Sequence, residues 1–409
     1  MRMRSMSRKT SIKKKAAREK IPQVAVLLES SHETSRGMLR GILRYVRING
    51  PWALHLVPGG ARDQRLPAAD VWRGSGIIAR VPNTKAAAEV VASRLPTVII
   101  DPLDPFLASS HPLSRRCRVQ CDSQAIAGLA ADHLIAGGFT HFAFAGAPSA
   151  VNWSSWRQEA FASRLAEHGH ACSVYPGPPA SARSEWERER AAMCRWLAKL
   201  PKPVAVFAAN DARGRQVLDA CLAADLPVPY QVAVLGVNND ELICETSQPP
   251  LSSVAVDVEH AGYAAAELLD HLMRGTLREP HLITYQPAGV VRRASTERLP
   301  VTDRLVIRAL EYIRINAGLN IRVTDVAGHL GVTRRWIEKR FAAELDRSVL
   351  DEIQRVRFET VRGLVSQTGL AFTEIARRCG FTSANHLGII FKAHFGVTMS
   401  AYREQHARS

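Results

Sequence analysis

Short apolar runs and longer amphipathic stretches alternate along most of the chain. Runs rich in Val, Ile and Ala predict strands, whereas apolar residues three and four positions apart predict helices. The predicted strands are Val24–Leu28, Ala53–Val57, Gly76–Ala79, Thr97–Ile100, Phe142–Ala145, Val204–Ala208 and Val232–Val237. The predicted helices between them include Ser35–Arg47, Ser123–Ala136, Ser154–His168, Trp186–Leu200 and Asp211–Ala224. This alternation predicts two parallel, doubly wound α/β sheets, with the chain changing from one to the other near Gly146.

Beyond residue 302 only the helical period remains. It predicts helices Asp303–Asn316, Thr324–Leu330, Thr333–Leu345, Val349–Ser366, Thr373–Cys379 and Ser383–Phe395. The polar segment before them contains Pro300, which is typical of a linker. We therefore predict a basic, disordered arm at 1–20, a two-lobed α/β domain at 21–293, a linker at 294–302 and an all-α domain at 303–409.

The all-α domain contains an internal repeat. Segments Val323–Phe341 and Phe372–Phe391 share Thr-acid-Val/Ile-Ala, then Gly-Val/Phe-Thr, then an apolar residue four positions before Phe. Each copy predicts two short helices around a sharp turn, which is typical of a helix-turn-helix unit. The sequence therefore predicts two such units joined by the long helix Val349–Ser366.

Charge is concentrated at the two ends of the chain. The formal net charge is +16, with 54 Lys and Arg against 38 Asp and Glu. Residues 1–20 contain nine basic residues and one acidic residue, and residues 303–409 contain 17 basic and 11 acidic residues. An excess of this kind indicates binding to a polyanion such as DNA.

Other sequence features argue against several classes of protein. The seven cysteines are scattered, as expected of free thiols in a reducing cytoplasm. The charged N-terminus has no apolar core of a secretory signal, and no apolar run is long enough to span a membrane. We find no Gly-rich nucleotide motif, no metal-ligand spacing and no catalytic pair, so we expect no cofactor, no metal and no enzymatic activity.

The second helix of the first unit offers groups suited to DNA. Arginine can bind guanine through two hydrogen bonds, glutamate can accept from cytosine, and lysine neutralises phosphate. Arg334, Arg335, Glu338 and Lys339 supply these groups. The alternative is a charged, solvated helix face, which the repeat and the basic charge make less favourable.

Residues 303–405 resemble the DNA-binding domain of AraC/XylS-type regulators. The similarity rests on I-A-x-x-C-G-F from Ile375, F-K-x-H-F-G-V-T from Phe391, and Tyr402 with Arg403. Met399 stands where the family usually has Pro, and Leu387 where it usually has an aromatic residue. The resemblance implies a double-stranded DNA operator contacted by Arg334, Arg335, Glu338 and Lys339 in the first unit and by Ser383, Ala384, Asn385, Gly388 and Ile389 in the second.

The middle of the chain resembles the sugar-sensing core of LacI/GalR regulators and periplasmic sugar receptors. Segments Ala208–Cys221, Val232–Leu242 and Leu251–Leu269 carry the similarity. It implies a two-lobed, type I periplasmic-binding-protein-like fold and a small sugar effector, with xylose or a related pentose expected first. The implied ligand-binding residues are Arg36, Asp122, Arg157, Trp186, Asn210, Asp211 and Asn238.

Several of these residues also fit structural roles. Asp122 is equally suited to cap the following helix, Arg157 to form an ion pair, and Trp186 to anchor its helix to the core. Asn238 stands where the family usually has Asp, and an amide donates as well as accepts, so a different pattern of hydroxyls is expected to be recognised.

Together these features predict a cytoplasmic, DNA-binding transcription regulator that controls sugar-catabolic genes. By resemblance we expect a homodimer, an interaction with RNA polymerase, and activation rather than repression. The alternative is a regulator that responds to a different sugar or acts without a ligand.

Overall fold

The structure, a computed structural model, describes residues 21–56, 60, 65–67, 72–147, 151–177, 186–297, 301 and 303–406. The predicted arm at 1–20 lies outside the described residues. The chain divides into two compact units. The described residues of the first unit fall within 1–125, 151–153 and 256–288, and those of the second within 126–150, 154–255 and 289–409.

The described strands are β1 (Gln23–Leu27), β2 (Ala53–Leu56), β3 (Gly76–Ala79), β4 (Thr97–Ile100), β5 (Cys117–Cys121), β6 (His141–Ala145), β7 (Cys172–Val174), β8 (Val204–Ala208), β9 (Val232–Val237), β10 (Ser252–Val256), β11 (Leu282–Tyr285) and β12 (Pro287–Val291).

The described helices are α1 (Glu33–Asn49), α2 (Thr84–Ser93), α3 (Asp104–Leu107), α4 (Ser123–Ala136), α5 (Asn152–Glu167), α6 (Trp186–Lys199), α7 (Asp211–Ala223), α8 (Glu241–Thr246), α9 (Val258–Met273), α10 (Arg304–Asn316), α11 (Val323–Leu330), α12 (Arg334–Leu345), α13 (Val349–Gln367), α14 (Phe372–Arg378), α15 (Ala384–Phe395) and α16 (Met399–His406). None of them is long and apolar enough to cross a membrane.

The first unit is built around a parallel sheet. Its strand order is β11-β5-β4-β3-β1-β2, and each of these neighbours pairs in parallel. Strands β3 and β4 are buried along their whole length, as expected of central strands covered on both faces. The edge strand β2 is largely exposed.

Helices α1 and α9 cross at very short range on this sheet. A Cβ atom at Gly41 would lie 1.9 Å from the Glu259 carbonyl oxygen, and one at Gly262 would lie 2.0 Å from that of Met38. Glycine is therefore required at both positions, because any side chain would push the helices apart. Next to the crossing, Arg40 forms ion pairs with Glu33 at 2.5 Å and with Glu259 at 2.7 Å.

The second unit contains the other sheet, in the order β12-β10-β9-β8-β6-β7. The pairs β7/β6, β6/β8, β8/β9 and β9/β10 are parallel. All seven predicted strands are present, each within one residue at either end. The predicted change of sheet near Gly146 is wrong, because β6 ends at Ala145 and already belongs to the second sheet.

The segment predicted as a linker begins inside the second unit. Ser295 is fully buried, and its backbone accepts from the Val234 N–H at 2.9 Å. Its hydroxyl donates to the Val234 carbonyl at 2.6 Å and accepts from the Ser252 N–H at 2.8 Å. These bonds fix Ser295 to β9 and to the start of β10.

The all-α part has two small cores, one for each helix-turn-helix unit. Val326, Leu330, Ile337 and Phe341 belong to the first core, and Ile375, Leu387 and Phe391 to the second. Helix α13 contributes to both, with Ile353 in the first and Val361 in the second. The predicted arrangement of two units joined by one long helix is confirmed.

Candidate effector site and nucleic-acid interface

Polar residues follow the buried strands at the carboxyl edge of the second unit's sheet. Strands β8 and β9 are buried along their whole length and end at Ala208 and Val237. Because parallel strands point the same way, the residues after them share one edge. The structure places Arg157, Asn210 and Asn238 around this edge. Ligands of parallel α/β sheets bind at such edges.

Arg157 and Asn210 are held by neighbouring backbone. Arg157 is 4% exposed, and its Nη1 donates to the Ala209 carbonyl at 2.5 Å. Asn210 caps α7, because its side-chain oxygen accepts from the Arg213 N–H at 2.9 Å. The ion pair predicted as the structural alternative for Arg157 stays a prediction.

Asp211 is a supporting residue in this structure. It is 1% exposed, and its carboxylate accepts from the Ser253 hydroxyl at 2.6 Å and from the Asp240 N–H at 2.7 Å. Burial raises the pKa of Asp211 to about 7, although these two hydrogen bonds oppose the shift. A Cβ at Gly236 would lie 2.3 Å from the Asp211 carboxylate, so the close packing requires glycine. The carboxylate therefore orders the loop after β9 instead of facing solvent.

That loop has an unusual backbone. Asn238 and Asn239 both have positive φ, at 103° and 52°. Asparagine tolerates this region better than most residues, but two in succession cost energy that the surroundings must supply. The Asn238 N–H donates to the Val254 carbonyl at 2.9 Å, and Asn239 accepts from Arg293 at 2.9 Å. The Asn238 side chain is thus carried on a rigid loop at the strand end.

Trp186 is the first residue of α6. Its side chain lies outside the described part of the structure, so its two predicted roles stay predictions.

The first unit has its own polar cluster, at the carboxyl edge of its sheet. Asp101, directly after β4, accepts from Arg80 at 2.7 Å, from the Tyr285 hydroxyl at 3.0 Å and from the Cys121 N–H at 2.9 Å. Burial raises the pKa of Tyr285 well above its usual value, and the Asp101 charge adds to the shift. Glu29, two residues after β1, lies 3.9 Å from Arg80.

Arg36 and Asp122 flank this cluster. Arg36 donates to Glu33 at 3.1 Å and to the Ser30 carbonyl at 2.9 Å. Asp122 accepts from the Ala125 N–H at 2.8 Å, which is the capping role foreseen as its alternative. Its other oxygen accepts from the Gln286 amide at 3.0 Å.

Sequence reasoning missed Glu29, Arg80, Asp101 and Gln286. A usable signal was present, because each of them follows an apolar strand directly or within two residues. The segments that carry the resemblance do not contain these four residues.

The first helix-turn-helix unit presents a basic recognition helix, α12. Gly331 ends α11 with a φ of 68°, and the Thr333 hydroxyl caps α12 by accepting from the Trp336 N–H. Ile337 and Phe341 are fully buried, which leaves Arg334, Arg335 and Lys339 exposed on the opposite face. These three predicted residues therefore lie where phosphates or base edges can reach them.

Two other side chains of α12 are engaged in packing. Glu338 accepts from the Val349 N–H at 3.3 Å, so it contacts the start of α13 and lies partly buried. Its predicted contact with cytosine would require that bond to break. Arg340 stacks over the Trp336 ring at 4.3 Å and pairs with Asp303.

The second recognition helix, α15, has a different surface. Gly380 has a φ of 72°, and Ser383 caps α15 by accepting from the His386 N–H at 3.2 Å. Asn385 and His386 are exposed, and Ile389 is 71% exposed. Ala384 and Gly388 are partly buried, and a Cβ at Gly388 would meet Met399 at 3.6 Å. Sequence reasoning did not include His386, although it stands beside Asn385.

The residues of the resemblance signature hold this second unit together. Arg403 stacks over Phe372 at 4.3 Å and donates to the Leu370 carbonyl at 2.7 Å. Met399, in place of the usual Pro, is buried in the same core as Leu387. Both departures from the family pattern thus keep an apolar group in the core, as expected.

Among the described residues, no group of three or more His, Cys, Asp or Glu side chains is placed to hold a metal ion.

Comparison with known proteins agrees with both the α/β domain and the all-α domain. A family model for a periplasmic binding protein-like domain matches residues 131–296, and one for a helix-turn-helix domain matches residues 326–405. The xylose operon regulatory protein of Escherichia coli K12 is 29% identical over 385 residues, which cover 93% of this chain and 97% of that protein. The protein of the same name from Haemophilus influenzae is 28% identical over 400 residues, covering 94% of this chain and 99% of that protein.

A solved structure of a xylose-binding transcription activator, xylR, matches with a TM-score of 0.83 and 29% identity, covering 94% of this chain and 98% of that one. These matches confirm the predicted fold class and the predicted resemblance. Along nearly its whole length the chain is therefore similar to the xylose operon regulatory proteins, and it combines a periplasmic binding protein-like domain with a helix-turn-helix domain.

Proposed function

We propose that this protein is a sequence-specific DNA-binding regulator that binds xylose or a related pentose and activates sugar-catabolic genes. One observation carries the proposal: a single chain joins the two domains in the order found in relatives named for the xylose operon, and it matches those relatives over more than nine-tenths of its length. The xylose-binding activity and the activation are stated for the relative of known structure and are extended here to this chain.

On the sensor side, Arg157, Asn210, Asn238 and Trp186 contact the sugar. Arg36 and Asp122 stay the further ligand-binding residues that the resemblance implies. Sugar hydroxyls both donate and accept, so amides suit them as well as charged groups do, and an aromatic ring suits the C–H face. Asp211 acts indirectly, because its buried carboxylate fixes the loop that carries Asn238.

On the output side, two protomers bind operator DNA in the cytoplasm. In the first helix-turn-helix unit, the exposed Arg334, Arg335 and Lys339 contact bases or phosphates. In the second helix-turn-helix unit, Asn385 and Ile389 contact bases. A homodimer brings four helix-turn-helix units to the operator, and RNA polymerase is recruited beside it. We assign no reaction to the chain.

The test uses the full-length chain and a panel of neutral sugars. We expect isothermal titration calorimetry to show saturable binding of D-xylose or another pentose, and fluorescence anisotropy to show a sugar-dependent change in operator affinity. Arg157→Ala should abolish sugar binding while leaving the affinity for DNA measured without sugar unchanged. Leu222→Ala, an exposed position on α7, is the control. The proposal is wrong if no sugar binds, or if bound sugar leaves operator affinity unchanged.

A further inference from the structure

The turn that precedes β9 touches the core of the first helix-turn-helix unit. Tyr230, at the end of this turn, packs against the cluster that includes Val306, Leu310 and Ile353 of α10 and α13. Burial raises the pKa of the Tyr230 hydroxyl, and the nearby Glu352 carboxylate adds to the shift. A side chain of the sensor domain thus packs directly against the hydrophobic core of the DNA-binding domain.

A hydrogen bond lies beside this contact. The Nη1 of Arg314, on α10, donates to the carbonyl oxygen of Val228 at 3.1 Å. Val228 is buried and belongs to the core of the sensor's second sheet. Burial lowers the pKa of Arg314, although Tyr230 and Glu311 act in the opposite direction. The contact therefore combines apolar packing with a partly buried, charge-assisted hydrogen bond, and such bonds are stronger than neutral ones.

The charged side chains near Tyr230 are also held in place by ion pairs. Glu352 on α13 is 2% exposed and is held by Arg347 at 2.9 Å and by Arg355 at 2.9 Å. A buried carboxylate with two guanidinium partners resists movement, because separating the charges would leave one of them unpaired in the interior. The surface on which Tyr230 rests is therefore stiff.

Strand β9 connects this contact to the candidate effector site. It is buried along all six residues, with Tyr230 just before it and Asn238 directly after it. At about 3.3 Å per residue, the strand spans roughly 20 Å. Arg293 clamps its carboxyl end through Asn239, and Ser295 pairs with its middle at Val234. The effector loop and the docked helix-turn-helix unit thus lie at opposite ends of one rigid element.

We propose that Tyr230 and Arg314 form the joint through which sugar binding at the carboxyl end of β9 sets the position of the first recognition helix. Both are positioning residues, and neither contacts sugar or DNA. When the sensor changes conformation, the first helix-turn-helix unit moves together with the second sheet as one body. The inference rests on the proposed function, because it concerns how sugar and DNA binding are coupled.

The experiment measures that coupling in the full-length protein. Operator affinity is determined with and without saturating D-xylose, and D-xylose affinity with and without operator DNA. The two ratios must be equal, because coupling between two sites is reciprocal. We expect a ratio of about tenfold or more for the wild type, within the usual range for coupled sites.

Tyr230→Ala should reduce both ratios to less than about twofold while changing the D-xylose affinity measured alone by no more than about twofold. Tyr230→Phe should restore the wild-type ratios, since the contact depends on the ring. Arg314→Met keeps the aliphatic stem in α10, removes the donor and should lower the ratios in the same way. It provides the test should Tyr230→Ala fail to fold. Leu222→Ala is the surface control.

The outcomes separate the two proposals. Wild-type ratios retained in folded Tyr230→Ala and Arg314→Met overturn the joint and leave the proposed function standing. A wild type without any coupling removes the proposed function and this inference together. A loss of sugar affinity equal to the loss of coupling would assign Tyr230 a merely structural role and also overturn the inference.

Discussion

The recognition helix of the first helix-turn-helix unit exposes Arg334, Arg335 and Lys339, whereas that of the second exposes Asn385, His386 and Ile389. The backbone plan is shared: a glycine with φ near 70° ends the first helix, and a hydroxyl caps the second. The same scaffold therefore carries a cationic surface once and a largely neutral surface once.

This difference separates two ways of binding DNA. Cationic side chains supply affinity that falls with salt, and arginine adds recognition of guanine. An amide and an exposed apolar side chain add recognition of adenine and of the thymine methyl group with little dependence on salt. We expect the first unit to dominate affinity, and the second to refine sequence preference.

The largest effect on stability should come from creating a cavity in the core of either helix-turn-helix unit. Phe341 and Phe391 occupy equivalent positions and are both fully buried, so replacing either with Ala should cost about 3–5 kcal/mol. Phe391→Ala should destabilise only the second helix-turn-helix unit. Phe341→Ala should destabilise the first helix-turn-helix unit and the core against which Tyr230 packs. Hydrogen exchange measured by mass spectrometry distinguishes the two. Increased exchange in the Tyr230 turn in both variants would contradict the difference.

Arg335→Ala tests the charged surface. Loss of a bidentate contact to guanine costs about 1–3 kcal/mol, which corresponds to roughly 5- to 150-fold weaker operator binding. The slope of log affinity against log salt should also become shallower. Arg308, exposed on α10, provides the matched control through Arg308→Ala. Equal losses in the two variants would show that only net charge matters.

Glycine replacement compares the two turns. Both Gly331 and Gly380 have positive φ, and a side chain there costs about 1–2 kcal/mol. A Cβ at Gly380 would also approach Asn320 at 3.1 Å, whereas the corresponding position at Gly331 is open. Gly380→Ala should therefore lower the thermal stability of the all-α domain more than Gly331→Ala. The reverse order in differential scanning calorimetry would contradict this.

Ile389→Ala should have the smallest effect, a loss of about 1 kcal/mol in operator binding that is insensitive to salt. Replacing operator thymines with uracil, one at a time, removes the methyl groups that Ile389 is expected to contact. One uracil substitution should weaken the wild type and leave Ile389→Ala unaffected. If the loss of operator affinity caused by Ile389→Ala adds to the loss caused by uracil at every thymine position, Ile389 contacts no thymine methyl group. Lys392→Ala, on the same helix, should change the salt dependence instead.

Much of the fold follows from the sequence because the central strands are nearly pure apolar runs. Strand β5 contains no continuous apolar run, because Arg118 and Gln120 alternate with its buried residues, and a search for apolar runs alone misses it. Strand β10 was missed because Ser252 and Ser253 resemble a loop. Both serines are buried through hydrogen bonds to residues distant in the chain, and no local pattern reports such partners.

The candidate site was predictable in position more than in detail. Motifs placed Asn210, Asp211 and Asn238 at the ends of buried strands, where the structure has them. They did not show that Asp211 turns inward, because its partners Asp240 and Ser253 lie 29 and 42 residues further along the chain. The contact between Tyr230 and the DNA-binding domain has no sequence signature, since it joins two domains that local periodicity treats separately.

The discontinuous path of the chain through its two units has a consequence for biosynthesis. Strand β11, which closes the first sheet beside β5, follows every strand of the second sheet except β12. A ribosome must therefore translate β6 to β10 of the second sheet before the first lobe can be completed. Since the helix-turn-helix units follow both sheets along the chain, a growing chain cannot occupy an operator until its sensor has been synthesised.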